Sequence, residues 1–303
     1  MKASRALRLQ GMVFSGLAGL FVIASFVLPR VDSRIEISVI ATLIFLLGVP
    51  HGALDTIFAR RLYPIRSMRE WLIFSFAYVA LAMAVVALWW LLPNVFLTAF
   101  LLVSAFHFSG DPVTGTPSLL RFWYGGAIIV LPTLIHENEV AVLFGYLVPG
   151  DFAMQSATVL HWMAVPWLIG LSIAVIWNLR RNLLTGVEVI AVALLVSVTT
   201  PLMGFTLFFC AMHSVRHTIR TQKFAGERSY LWILTQAILP MVFSALIAVA
   251  IWPTFGDTLF DAAVVQLLFV ALAALTVPHM WLIERIRFSG EFRDLAPLGI
   301  VQK

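Results

Sequence analysis

The sequence predicts an all-α protein, a polytopic transmembrane helix bundle of about 8–10 spans, formed as a single integral-membrane domain over residues 1–303 with both termini cytoplasmic. Three observations lead there. The chain is 61% hydrophobic and only 12% charged, where ordinary soluble domains carry roughly a quarter charged residues. No Asp, Glu, Lys or Arg occurs in Trp71–Gly110, Phe152–Leu179, Val189–Val215, Ser229–Gly256 or Ala262–Ile283, and several of these stretches exceed the roughly 20 residues needed to cross a bilayer. Finally, the apolar runs are continuous rather than alternating, which excludes a β-barrel and leaves helices, the other fold that satisfies its backbone in lipid.

Taken in order, the spans are expected near Leu9–Leu28, Ile37–Phe58, Trp71–Leu92, Val95–Gly110, Leu119–Ile135, Ala157–Leu179, Val187–Thr200, Leu202–His217, Leu231–Trp252 and Ala262–Ile283. The first lacks a small-residue cleavage site and is followed by Pro29, Arg30 and further spans, so it reads as a retained helix rather than a signal peptide. Pro93-Asn94 supplies a turn inside the longest uncharged run. Around Pro201 two readings stand: two short crossings, or one broken crossing with a re-entrant piece.

Loop charges set the orientation. Lys2, Arg5 and Arg8; Arg60, Arg61, Arg66 and Arg69; Arg121; Arg180 and Arg181; Arg220, Lys223 and Arg228; and Arg285, Arg287 and Arg293 all fall on one side, which is therefore cytoplasmic. Glu137, Glu139, Asp151, Asp257 and Asp261 fall on the other, with Arg30 and Arg34 as exceptions. The net charge of +5 is thus a topology signal, and nucleic acid is not an expected partner. A multi-pass protein of the cell (inner or plasma) membrane is expected. The single Cys210 excludes an intrachain disulfide framework.

Of seven histidines, five sit late in their spans on the cytoplasmic side: His51, His107, His213, His217 and His279. His136 and His161 fall toward the opposite face. One buried histidine is usually a packing residue. Five at one depth from four spans point instead to a metal site, because polar groups in a membrane are costly and imidazole is the commonest metal ligand. His213 and His217 are four apart, on one helix face with Cβ atoms about 6 Å apart. The zinc-protease motif shares that spacing but needs Glu where this chain has Ser214. Cys210, on the same face, reads as a packing residue before a thiolate ligand.

Asp55 and Asp111 each stand four residues after a histidine, His51 and His107. At that spacing each is expected to accept a hydrogen bond from the non-ligating nitrogen of its own histidine and to offset the charge of a divalent cation. Their alternative role is that of polar residues at helix ends. Pro50 and Pro278 precede His51 and His279 and would kink the helices to aim those side chains inward. Nearby aromatic residues, Phe106, Phe108, Phe209 and Trp281 among them, are candidates for lining an apolar substrate channel.

The segment Gly48-Val49-Pro50-His51-Gly52-Ala53-Leu54-Asp55, with His107-Phe108-Ser109-Gly110-Asp111, His213-Ser214-Val215-Arg216-His217 and Pro278-His279, resembles the Brp/Blh-type β-carotene 15,15′-dioxygenases, the bacteriorhodopsin-related proteins. The resemblance runs over roughly residues 37–285. It implies a membrane oxygenase in which histidines hold one non-haem Fe(2+) and β-carotene is cleaved at its central double bond by O2 into two retinal molecules. Carried over residue by residue, the ligands are His51, His107, His213 and His217, with His279 as a fifth ligand or a group behind them. The stretch after His107 departs from the family pattern, Ser109 standing where Gly is expected. Implied partners are β-carotene, O2, the bilayer and a retinal-accepting opsin. Two rivals remain on sequence alone: a different membrane histidine-iron lipid oxidase or desaturase, which generally uses more histidines, and a cation or proton transporter, for which inverted repeats would be expected and none is evident.

Overall fold

A computed structural model describes residues 2–29, 31–112 and 115–288. Arg30, Arg293 and the carboxyl terminus, used above for orientation, lie outside the described residues. Among those described the regular structure is helical, with no strand. Helix α1 is Lys2–Val27, and α2 is Ser33–Leu43, its amino end capped by Asp32 through the amides of Arg34 and Ile35. A π-helical turn, Ile44–Gly48, leads into α3 (Pro50–Ala53) and α4 (Asp55–Leu62). Helix α5 (Met68–Leu91) starts from a reciprocal capping box between Ser67 and Glu70. Helix α6 (Pro93–Phe108) begins at the expected proline turn, proline being suited to a first helical position that needs no amide donor.

Helices α7 (Ser118–Val130) and α8 (Thr133–Gly145) meet at a 60° bend beside Pro132. They are followed by α9 (Phe152–Leu179), α10 (Leu183–Val198) and α11 (Pro201–Leu207). A second π-helical stretch, Phe208–Ser214, runs directly into α12 (Val215–Phe224). Helix α13 (Tyr230–Ile251) and the long α14 (Phe260–Phe288) complete the order.

Each expected apolar segment is helical, but not all are full crossings. Among the described residues six helices are long and apolar enough to cross a membrane, or seven if the bent α7–α8 pair counts as one span. Helices α6 and α10 have 16 residues each, about 24 Å at 1.5 Å per residue, short of a hydrocarbon core of about 30 Å. The segment through His217 is three joined pieces bearing Arg216 and Arg220, so it lacks the composition of a simple span.

Burial is arranged as lipid dictates. No residue of α5 is buried, although the helix is apolar on every side, and Phe76, Trp90 and Leu239 are among the large side chains left exposed; a helix apolar all round needs an apolar surrounding. Inside, by contrast, lie Gln10, Asp55, Asp111, Glu188, Arg216 and three histidines. The main apolar core joins Phe14, Ile40, Ile44, Leu131, Leu171, Leu195 and Phe208. Close approach of α7 to α6 depends on Gly125, where a Cβ would overlap the backbone of Ala105 and Ser109.

Candidate metal centre

Four separate pieces of chain bring the five histidines together. His51 lies on α3 just after the first π-turn, and His107 lies in the last turn of α6. His213 lies in the second π-stretch, His217 in the first turn of α12, and His279 on α14 after Pro278. The two π-segments are tied to each other by Ser214, whose hydroxyl donates to the carbonyls of Leu47 (2.5 Å) and Gly48 (3.2 Å). A π-turn inserts one residue into the helical register and so re-aims the side chains that follow, a device common at functional sites. Gly48 makes room here: a Cβ at that position would collide with the ring of Phe209.

Neighbouring imidazole centroids lie between 4.5 Å (His107–His213) and 6.3 Å (His51–His107) apart. His51 is central, at 5.0 Å from His213, 5.2 Å from His279 and 5.6 Å from His217. One potential ligand atom from each of His51, His107 and His279 lies within 4.8 Å of the others. His279, left open between two roles by the sequence, thus joins His51 and His107 in the group whose ligand atoms lie together. His213 and His217, expected as ligands, stand beside that group, with ring centroids 4.5 Å from His107 and 5.1 Å from His279 respectively.

Hydrogen bonds orient the rings. His51 Nδ1 is 2.5 Å from the Gly48 carbonyl, His279 Nδ1 is 2.6 Å from Asp55 Oδ1, and His213 Nδ1 lies 3.0 and 3.1 Å from the two oxygens of Asp111. With Nδ1–H donated to these acceptors, each Nε2 keeps its lone pair. The Nε2 atoms of His213, His217 and His279 are buried and have no hydrogen-bond partner among the described residues. Buried polar atoms are ordinarily satisfied, and the ligand atoms of His51, His107 and His279, within 4.8 Å of one another, are spaced as a single cation would require. The residues present therefore fit a metal ion, and the all-imidazole donor set suits Zn, Cu, Fe or Ni.

The aspartates do not serve the histidines assigned to them by spacing. Asp55 bonds His279 rather than His51, and Asp111 bonds His213 rather than His107. Both i, i+4 expectations fail because the helix is interrupted: Leu54, with φ −80° and ψ 0°, separates α3 from α4, and α6 ends at Phe108, three residues before Asp111. Each carboxylate instead reaches across to another helix. Asp55 also accepts from the Tyr78 hydroxyl on α5 at 2.8 Å.

Behind Asp111 lies a clamp that sequence reading missed. Arg121 donates to the carbonyls of Ser109 (2.8 Å) and Gly110 (3.0 Å), and Arg220 to those of Gly110 (2.9 Å) and Asp111 (2.7 Å). Arg216, buried, donates to Gln10 (2.8 and 3.0 Å) and Glu188 (2.8 Å) and reaches the Asp111 carbonyl at 3.4 Å. Arg121 and Arg220 were expected to act through topology as loop charges; they also fix the turn that carries Asp111. The available signal was Glu188 and Arg216 standing at the two edges of a long uncharged run.

Other candidates sort by position. Phe108 and Phe209 are buried against the cluster, 5.0 Å from His213 and 5.2 Å from His51. Phe106 and Trp281, expected to line a channel, face outward at 57% and 58% exposure. They follow or precede a histidine by one or two positions, and at 100° per residue such neighbours point to other faces of the helix. Cys210 donates to the Leu43 carbonyl (3.5 Å) and is outside the histidine group. His136 bonds Val198 and Glu139, and His161 bonds the Thr133 carbonyl, in the α7–α10 region.

The family model described as "Beta-carotene 15,15'-dioxygenase" matches residues 42–287 and so takes in the whole cluster. This chain belongs to that family. Among curated relatives, a β-carotene 15,15′-dioxygenase of an uncultured marine bacterium, 66A03, is 31% identical over 259 residues, which is 80% of this chain and 91% of the relative. No solved structure matches. For this member of the family, the histidine cluster is therefore the candidate active centre.

Proposed function

We propose that this chain is a membrane-embedded dioxygenase that uses one non-haem Fe(II) and O2 to split the central 15,15′ double bond of β-carotene into two molecules of retinal. The observation that carries this reading is the His51, His107 and His279 group, whose ligand atoms lie within 4.8 Å of one another, with the rings of His213 and His217 beside it, in a chain of this family. His51, His107, His213 and His217 would hold the ion, with His279 as the fifth donor. When bound, iron with nitrogen ligands and open positions supplies a centre that activates O2 beside the alkene.

The chain's own residues prepare the rest. Asp55 and Asp111 retain the Nδ1 protons of His279 and His213, which keeps both rings in the ligating tautomer and strengthens them as donors. Their two negative charges offset a divalent cation under neutral imidazoles, where an uncompensated buried charge would be costly. The Gly48 carbonyl does the same steering for His51 without adding charge. Phe108 and Phe209 exclude water from the rings they touch. In the cell membrane, with the arginine-rich loops and both termini on the cytoplasmic side, the site would receive its hydrocarbon substrate laterally from the bilayer, and a retinal-binding opsin is the natural acceptor of the product.

Expression in cells that make β-carotene tests this. The cells should bleach and accumulate retinal in a manner dependent on O2 and Fe(II), while cells with His213→Ala stay coloured. Unchanged β-carotene alongside folded, iron-loaded protein would refute the activity.

A further inference from the structure

Helix α1 turns Leu9, Met12 and Val13 outward, and it precedes residues 42–287, over which the family match runs. One of its side chains nevertheless ends in the interior behind the histidines. Gln10 is buried, and both ends of its amide are engaged. Nε2 donates to the Ala211 carbonyl at 2.9 Å and toward Met212 Sδ at 3.3 Å, while Oε1 accepts from Arg216 Nε at 3.0 Å and Nη2 at 2.8 Å. A carboxamide donates and accepts through separate atoms without carrying charge, so it can join a backbone carbonyl to a guanidinium. The next position is shaped for the same contact: a Cβ at Gly11 would overlap the carboxylate of Glu188, whose Oε1 accepts from Arg216 Nη2 at 2.8 Å. Gln10 and Glu188 thus hold the guanidinium of Arg216 from two helices, α1 and α10.

Both ends of the Gln10 amide lead to His213. Ala211 stands two residues before it in the π-stretch Phe208–Ser214, and Arg216 stands three residues after it. Arg216 Nη1 reaches the Asp111 carbonyl at 3.4 Å, and the Asp111 carboxylate holds His213 Nδ1. A π-stretch aims its side chains through an altered register, and Gln10 grips the chain on either side of the histidine so aimed.

We infer that Gln10 is a positioning residue of the metal centre, and that α1 is through it a working part of the site: the amide sets the orientation of His213 by way of the Ala211 carbonyl and of Arg216. The inference rests on the reading of the histidines as a metal centre and adds a role for a helix outside the family match. Burying an amide costs free energy unless its atoms are bonded, and a leucine would pack between these helices without that cost. What the amide adds is a fixed register around one ligand.

The test measures metal binding by the full-length protein in detergent and needs no carotenoid. Gln10→Met keeps the length of the side chain and deletes its amide hydrogen bonds. Fe(II) affinity, by chelator competition, should fall about threefold to tenfold, less than the 10–100-fold typical of a group that touches the ligand itself. Co(II) bound in place of iron should show shifted visible bands, which report the arrangement of its ligands. Phe14→Leu is the control, because Phe14 lies one turn further along α1 in the main apolar core. That variant should melt at a lower temperature and keep the wild-type Fe(II) affinity and Co(II) spectrum. If Gln10→Met does not fold, Gln10→Asn makes the same comparison with the amide withdrawn by one methylene. Wild-type affinity and spectrum in the folded Gln10 variant would overturn the inference. So would an equal change in Phe14→Leu, which would reduce α1 to packing. A wild-type protein that binds neither Fe(II) nor Co(II) would overturn the metal reading itself, and this inference with it.

Discussion

Replacing Asp55 with Asn probes the connection between carboxylate and metal site most directly. Asp55 is buried and accepts two hydrogen bonds, from His279 Nδ1 at 2.6 Å and from the Tyr78 hydroxyl at 2.8 Å. The amide keeps the shape and one acceptor oxygen, so the substitution deletes the negative charge and one of the two acceptor positions while leaving the packing intact. Groups that orient a metal-binding histidine typically contribute 10–100-fold in affinity, or about 1.4–2.8 kcal/mol. A drop of that size in Fe(II) affinity, measured by chelator competition on purified protein, is expected with little change in thermal stability. The structure also says through which histidine the loss travels. In a double-mutant cycle, Asp55→Asn should add little to His279→Ala but should act nearly independently of Asp111→Asn, whose partner is His213, because coupling energies report direct contact. Wild-type iron affinity in Asp55→Asn, or full additivity with His279→Ala, would refute the assignment.

Further outcomes follow from the same geometry. His51→Ala, His107→Ala, His213→Ala and His217→Ala should each lose nearly all bound iron and activity, whereas His136→Ala and His161→Ala, whose rings bond Val198 and Thr133, should keep most of both by metal analysis and retinal yield. Gly125→Ala should lower the melting temperature and the iron content together, since its methyl would push α6 and the Ser109–Asp111 turn away from α7; overpacking of this kind costs about 1–3 kcal/mol, and an unchanged thermal unfolding curve would show that the helices yield easily. Cysteines introduced at Arg66 and Arg228, both exposed, should resist labelling from outside intact cells if those loops are cytoplasmic.

The fold class was legible in the sequence because the bilayer imposes it: stretches such as Trp71–Gly110 without a charge can be satisfied only by helices, whatever their neighbours do. The convergence of the histidines was legible for a related reason, since His51, His107, His213, His217 and His279 share a depth, and depth follows from position in a span. Rotation about the helix axis and breaks in the helix do not. The interruption at Leu54 and the end of α6 at Phe108 turn Asp55 and Asp111 away from their sequence neighbours toward His279 and His213. Two π-segments, invisible in composition, settle where His51 and His213 point. The length of α6 and α10 likewise depends on where prolines and packing stop them. Sequence alone therefore determined that imidazoles would meet in an apolar bundle. Only the tertiary structure decided which carboxylate holds which ring and that Tyr78 and three arginines stand behind them, because hydrogen bonds between helices depend on register and rotation, which the one-dimensional pattern does not encode.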